Sequence, residues 1–204
     1  ITLRAVPCAS AVNTITIRPE TGATGLNSTS ANTTTTIDTN GGNYYIIDGR
    51  PGGTGSARGM QVANTSAATG GTAIRFINEG SNNTVKYCVL KAAFGSTTSG
   101  IMNFAGTTGT NGNDNNTIDN NDFDGQAGAA ASPTTGVQNG IYSAGGTATG
   151  TQNSSGNTIS NNNLFNIFRT GATITLNAIN ITTGNAEWTI TGNSIYQTAT
   201  RTST

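Results

Sequence analysis

The phrase NNTIDNNDF begins at Asn115, and three close relatives of it occur elsewhere in the chain. They are NNTVKYCVL from Asn82, GNTISNNNLF from Gly156 and EWTITGNSI from Glu187. Aligned on the central aliphatic residue, Ile17, Ile47, Val85, Ile118, Ile159 and Ile190 recur at intervals of 30 to 41 residues. Five positions later a second apolar place recurs as Leu90, Phe123, Leu164 and Ile195. A further short apolar segment precedes each phrase, at 73–76, 100–102, 140–142 and 178–181. Strands this short cannot shelter an apolar face by themselves. Stacking successive units buries a continuous core, which is the physical logic of a solenoid.

In Thr117-Ile118-Asp119 the two-residue period of a strand sends Ile118 inward and its neighbours outward. A sharp turn must follow within a few residues. Asn121, Asn162 and Asn193 share the third place after the aliphatic, where Asn tolerates left-handed backbone and can hydrogen-bond a turn. Stacked amides also bond to one another as a ladder. Cys88 holds that place one unit earlier, so the ladder is expected to begin at Asn121.

The combined pattern, GI-x-(x)-F followed by NNTI-x-NN-x-F, resembles the right-handed parallel β-helix repeats of pectate-lyase-like and related proteins, over roughly residues 12–198. The resemblance implies an all-β fold: a right-handed, single-stranded parallel β-helix, or β-solenoid, of about six coils with an internal Asn ladder. Loop insertions are expected at 105–114, 125–136 and 144–156. One domain would fill 1–204, with 1–11 as lead-in, 12–198 as coils and 199–204 as tail. A β-sandwich also uses short strands, but has no reason to repeat NTI-x-NN. No capping helix is legible at either end. The expectation is that neighbouring chains cover the ends, or that this is a processed part of a larger protein.

Composition narrows the function. Charged residues make up 9% of the chain, nine basic against nine acidic. Nucleic-acid binding needs clustered Lys and Arg, so it is not expected. No apolar run reaches the roughly 18 residues of a spanning helix, so membrane insertion is not expected either. There is no histidine, which removes the histidine motif of the related polygalacturonases, histidine-based triads and the usual zinc sets. Cys8 and Cys88 sit at different places of the repeat, and whether they approach closely enough for a disulfide stays open.

Carboxylates crowd at Asp114, Asp119, Asp122 and Asp124. Such oxygen clusters suit Ca²⁺, and the resemblance implies calcium held by aspartates of adjacent coils. Ser160 and Asn163 take the matching places one coil on. Asp119, Asp122 and Asp124 are therefore expected to be solvated turn carboxylates, and no cofactor is expected. Asp48, Lys86 and Asp119 form one outward column, where Lys86 pairs with either neighbour and a one-coil slip would oppose like charges.

Glycan cleavage needs paired carboxylates or a base. The residues open to such a role are Asp48, Arg50 and Arg75, although a guanidinium essentially never deprotonates. An ice-binding face would want two ranks of Thr. The first rank reads Thr16, Ile46, Thr84, Thr117, Thr158 and Thr189, but the second reads Arg18, Asp48, Lys86, Asp119, Ser160 and Thr191 and is mostly charged. Exposed aromatics for sugar binding would be Tyr44, Tyr142, Trp188 and Tyr196.

The leading expectation is a non-catalytic structural or adhesive module of a large secreted or cell-surface bacterial protein, an adhesin or filament component. Its partners would be other copies or domains of the same protein, with a glycan or cell surface as a further partner. The segment NYYIIDGRPGG, 43–53, resembles parts of very long surface proteins of gliding bacteria of the Bacteroidetes type, exported by the type IX system. The alternatives are a polysaccharide lyase or hydrolase acting on acidic glycans, and a carbohydrate- or ice-binding surface.

Overall fold

The computed structural model describes residues 1–68, 70–93, 96–125, 136–146, 150–169 and 174–200. The described residues form an all-β fold whose three long sheets are parallel throughout. Among the described residues helix is confined to two short 3-10 turns, Pro51–Gly53 and Gly150–Gln152. The first sheet joins Ile15–Ile17, Tyr45–Asp48, Thr84–Lys86, Thr117–Asp119, Thr158–Ser160 and Thr189–Thr191. The second joins Leu26–Ser30, Met60–Asn64, Cys88–Ala92, Asp122–Asp124, Asn163–Phe165 and Ser194–Tyr196. The third joins Thr35–Asn40, Thr72–Ile77, Met102–Phe104, Asn139–Ser143 and Asn177–Ile181. The chain visits first, second and third sheet in turn and then begins again, an arrangement compatible with a parallel β-solenoid.

The register follows the apolar rungs. Ile17, Ile47, Val85, Ile118, Ile159 and Ile190 pair in one file down the first sheet. Leu90, Phe123, Leu164 and Ile195 form the file of the second, which extends back to Val62 and Ser28. In the third, Ile37, Ile74, Met102, Ile141 and Ile179 align. These files meet in one core, with Phe76 stacked on Phe104 at 4.5 Å and Trp188 edge-on to Phe104 at 5.0 Å. Each buried aliphatic rung contributes about 2 kcal/mol of hydrophobic stabilisation.

The last rungs differ from expectation. Ile190 and Ile195 hold their register but are 49% and 67% exposed, because no described strand lies beyond them. They are rungs sheltered on one side only. At the other end, residues 1–3 run beside the outer edge of Thr35–Asn40. Thr2 bridges Asp38 in parallel, and the Leu3 amide donates to the Asp38 carbonyl at 2.7 Å. The expected lead-in thus covers one sheet edge.

The turns also differ in detail. The left-handed residue is Tyr87, Asn120, Asn161 or Gly192, one place before Cys88 and the three asparagines singled out in the sequence. Reversing direction there leaves the next residue extended, so Asn121, Asn162 and Asn193 aim inward. Asn121 Nδ2 donates to Asn162 Oδ1 at 3.1 Å and to the Val85 carbonyl at 2.9 Å. Asn162 repeats this with Asn193 and Ile118. At the head of the file, the Cys88 amide donates to Asn121 Oδ1 at 2.9 Å.

The insertion at 105–114 is tied down rather than projecting. Glu79 Oε1 accepts the amides of Thr110 and Asn111, and the buried Asn113 donates to the Ala105 carbonyl at 2.7 Å. Positions 126–135, 147–149 and 201–204, within the other two insertions and the tail, lie outside the described residues.

A stacked core makes a rung's value depend on its depth. Ile118→Ala is expected to lower stability by about 3 kcal/mol, and Ile195→Ala by under about 1 kcal/mol. Urea unfolding midpoints check this; equal losses at both sites would contradict the stacking.

Candidate functional site

Two polar features stand out from the Thr-rich surface. One is the charged cluster around Asp48, at the end of the strand Tyr45–Asp48. The carboxylate is buried, and Arg50 grips it with both Nε and Nη2, at 2.9 and 2.7 Å. The Arg50 backbone amide also donates to it, and Lys86 Nζ stands 3.6 Å away. The guanidinium lies 4.6 Å from the ring centre of Tyr87, a cation–π contact. Gly49 permits this packing, because a side chain there would strike the Tyr87 carbonyl.

Burial pushes the Asp48 carboxyl up, but hydrogen bonds and charge from Arg50, aided by Lys86, outweigh it and hold the group below its ordinary value. Its hydrogen bond to Asp48 raises Arg50 above the ordinary guanidinium value, the reverse of what a base requires. Arg75 is on the third sheet, where it forms its own bidentate pair with Asp38 at 3.0 and 2.6 Å. The three residues considered for catalysis are therefore divided between two separate ion pairs.

The clustered aspartates are divided as well. Asp119 accepts from Ser160 Oγ, Asn161 Nδ2 and Asn120 Nδ2. Burial raises this carboxyl, yet those three hydrogen bonds and the charge of Lys86 bring it below its ordinary value. Asp122 meets Arg58 and Asn163, and Asp124 meets Lys91 and Asn166. Among the described residues no three Asp, Glu or Cys side chains gather as a metal set. The aromatics separate too. Trp188 packs inward and donates from Nε1 to the Ser154 carbonyl, Tyr142 is buried, and Tyr196 stacks on Phe165 at 5.2 Å.

The second feature is a polar hollow of about 330 Å³ at the turn between third and first sheets, lined chiefly by Tyr44, Glu79, Asn82, Asn111, Asp114 and Asn115. Tyr44, Asn82 and Asn115 occupy the same left-handed place on successive coils, with φ of 62°, 58° and 55°. Gly156 has that place next. Behind them runs a second buried amide file: Asn83 Nδ2 donates to Asn116 Oδ1, and Asn116 Nδ2 to Asn157 Oδ1, both at 3.1 Å. Asn43, Ser81 and Asp114 each accept the backbone amide of the coil beyond through a side-chain oxygen. Burial raises the Asp114 carboxyl, and the nearby charge of Glu79 adds to the rise.

Reading the sequence for chemistry missed this hollow. The traces were Tyr44 among the exposed aromatics, Asp114 among the crowded carboxylates, and the first Asn of each NNT, which looks like ordinary turn material. The Asn83, Asn116 and Asn157 file had a plainer signal, an Asn two places before each central aliphatic.

Cys8 is exposed and Cys88 buried, both as free thiols. Burial, with the charge of Asp48, pushes the Cys88 thiol up to about 12. A thiol reagent is expected to label Cys8 in the folded chain and Cys88 only after unfolding, read by mass spectrometry; simultaneous labelling would contradict the fold. Asp48 and Asp119 have depressed folded-state values, so the stability they confer is full above roughly pH 4 and disappears as pH falls through those values. Unfolding midpoints between pH 6 and 2 should drop in acid, and less steeply in Asp48→Asn.

Compared with protein-family models, curated proteins and solved structures, the chain matches none of them.

Proposed function

We propose that the chain is a right-handed, single-stranded parallel β-helix of six coils, closed at its turns by an Asn ladder. We propose further that it serves as a non-catalytic structural or adhesive module of a large secreted or cell-surface protein. The observation that carries this reading is the far end of the stack. Ile190, Ile195, Tyr196 and Leu176 are exposed there. Leu176, Ile195 and Tyr196 line an apolar hollow of about 230 Å³ together with Leu164, Ile167 and Ala178. The strands Asn177–Ile181, Thr189–Thr191 and Ser194–Tyr196 end their sheets on the same side. Unpaired strand edges beside apolar rungs form a template for one more coil.

The occupant we assign is another coil of the same kind, from a second copy of this chain. Ion pairing supports the non-catalytic half of the reading. Asp48, Arg50 and Arg75 each already have a charged partner, so none stands free to move a proton.

Sedimentation of the chain over a range of concentrations tests the assembly surface. Self-association is expected, and Ile190→Asp with Ile195→Asp should weaken it about tenfold or more, because each places a charge against apolar rungs. A chain that stays monomeric at its highest soluble concentration, or variants that associate as well as the parent, would overturn it.

A further inference from the structure

We infer that the hollow between the third and first sheets binds a short stretch of polysaccharide whose sugars carry no acidic group, that is, neutral or amino sugars. This stands on a different observation from the end-to-end reading and does not depend on it. The lining combines the three things a sugar needs. The Tyr44 ring offers an apolar face beside a polar tip. The carboxylates of Glu79 and Asp114 accept hydrogen bonds, and the amides of Asn82, Asn111 and Asn115 both donate and accept, matching hydroxyls that do both. No hydrogen bond to another described residue occupies those three side-chain amides.

Charge sets the class of sugar. The lining holds two carboxylates and no Lys or Arg. A uronate, sulfate or phosphate would bring a third negative charge against them, whereas an amino group would be drawn in. At about 330 Å³ the hollow is at the small end of ligand sites, room for a short saccharide segment rather than a large ligand.

The lining is also held in place before any ligand arrives. Glu79 Oε1 accepts two backbone amides at 2.6 and 2.8 Å, fixing both the carboxylate and the loop that carries Asn111. The backbone amides of Asn82 and Asn115 donate to the Asp114 and Ser155 carbonyls at 2.8 and 2.9 Å. A tyrosine at positive φ is disfavoured by sterics. The backbone at this place asks only for glycine, as Gly156 shows. The side chains of Tyr44, Asn82 and Asn115 are therefore additions to a turn that folds without them.

That geometry supplies clean variants. Tyr44→Gly and Asn82→Gly delete the side chain and keep a residue suited to left-handed backbone. Their melting temperatures should equal or exceed the parent's. Isothermal titration of the whole chain would use tetramers of β-1,4-glucose, β-1,4-glucosamine and α-1,4-galacturonate, with calcium chloride titrated separately. Binding of the glucose or glucosamine tetramer is expected, with galacturonate at least about tenfold weaker and each variant roughly tenfold weaker than the parent. The inference is overturned if neither tetramer binds, if galacturonate is preferred, if both variants keep the parent's affinity, or if calcium alone binds.

Discussion

A buried carboxamide that donates to one coil and accepts from another is the interaction on which the turns of this molecule depend. Asn121, Asn162 and the half-buried Asn193 form one such file, and Asn83, Asn116 and Asn157 a second at the opposite end of the same strands. Each amide also takes up a backbone carbonyl, and its oxygen accepts a backbone amide from the neighbouring coil. The files thus satisfy turn groups that a parallel ladder leaves unpaired. Leaving one such buried group unmatched costs about 1–3 kcal/mol. A shift of one residue would break both files and turn every apolar rung outward. Register is therefore specified twice, by amides at the turns and by aliphatics between them.

That double specification explains how a chain with so few charges and so little Leu folds. The core needs one or two apolar side chains per strand, and the outward places are free for Thr, Ser and Asn. Ion pairs act locally instead of setting the fold. Those of Asp38, Asp122 and Asp124 are partly exposed, a class worth about 0–1 kcal/mol each. Asp48 is the exception, a buried carboxylate that needs Arg50 and Lys86 because removing one partner would leave an uncompensated charge. The charges most attractive as catalytic groups are thus the ones most fully engaged in holding neighbouring residues together.

Two surfaces remain that structural demands do not account for. The end of the stack shows rungs finished on one side only, an apolar face among exposed strand edges. The hollow beside Tyr44 is its chemical opposite, lined by unengaged amides and two carboxylates. One is apolar and bordered by unpaired strands, the other polar and acidic.

The sequence by itself determined the rungs. Ile17, Ile47, Val85, Ile118, Ile159 and Ile190 could be aligned without coordinates because a strand's two-residue period and a stacked core leave one aliphatic no other use. It also aligned Asn121, Asn162 and Asn193 at one shared place of the repeat, with Cys88 in that place one unit earlier. What only the tertiary structure decided were matters of neighbourhood. Which residue of each turn is left-handed depends on where the backbone must reverse, so it fell on Asn120 rather than Asn121. Whether Ile195 is core depends on what lies above it, which no local pattern encodes. Asp48 and Arg50 are two residues apart in sequence, but that Arg75 has Asp38 as its partner follows from coil-to-coil register. The hollow at Tyr44 draws on three coils at once, and separations of more than thirty residues carry no signature in any one of them.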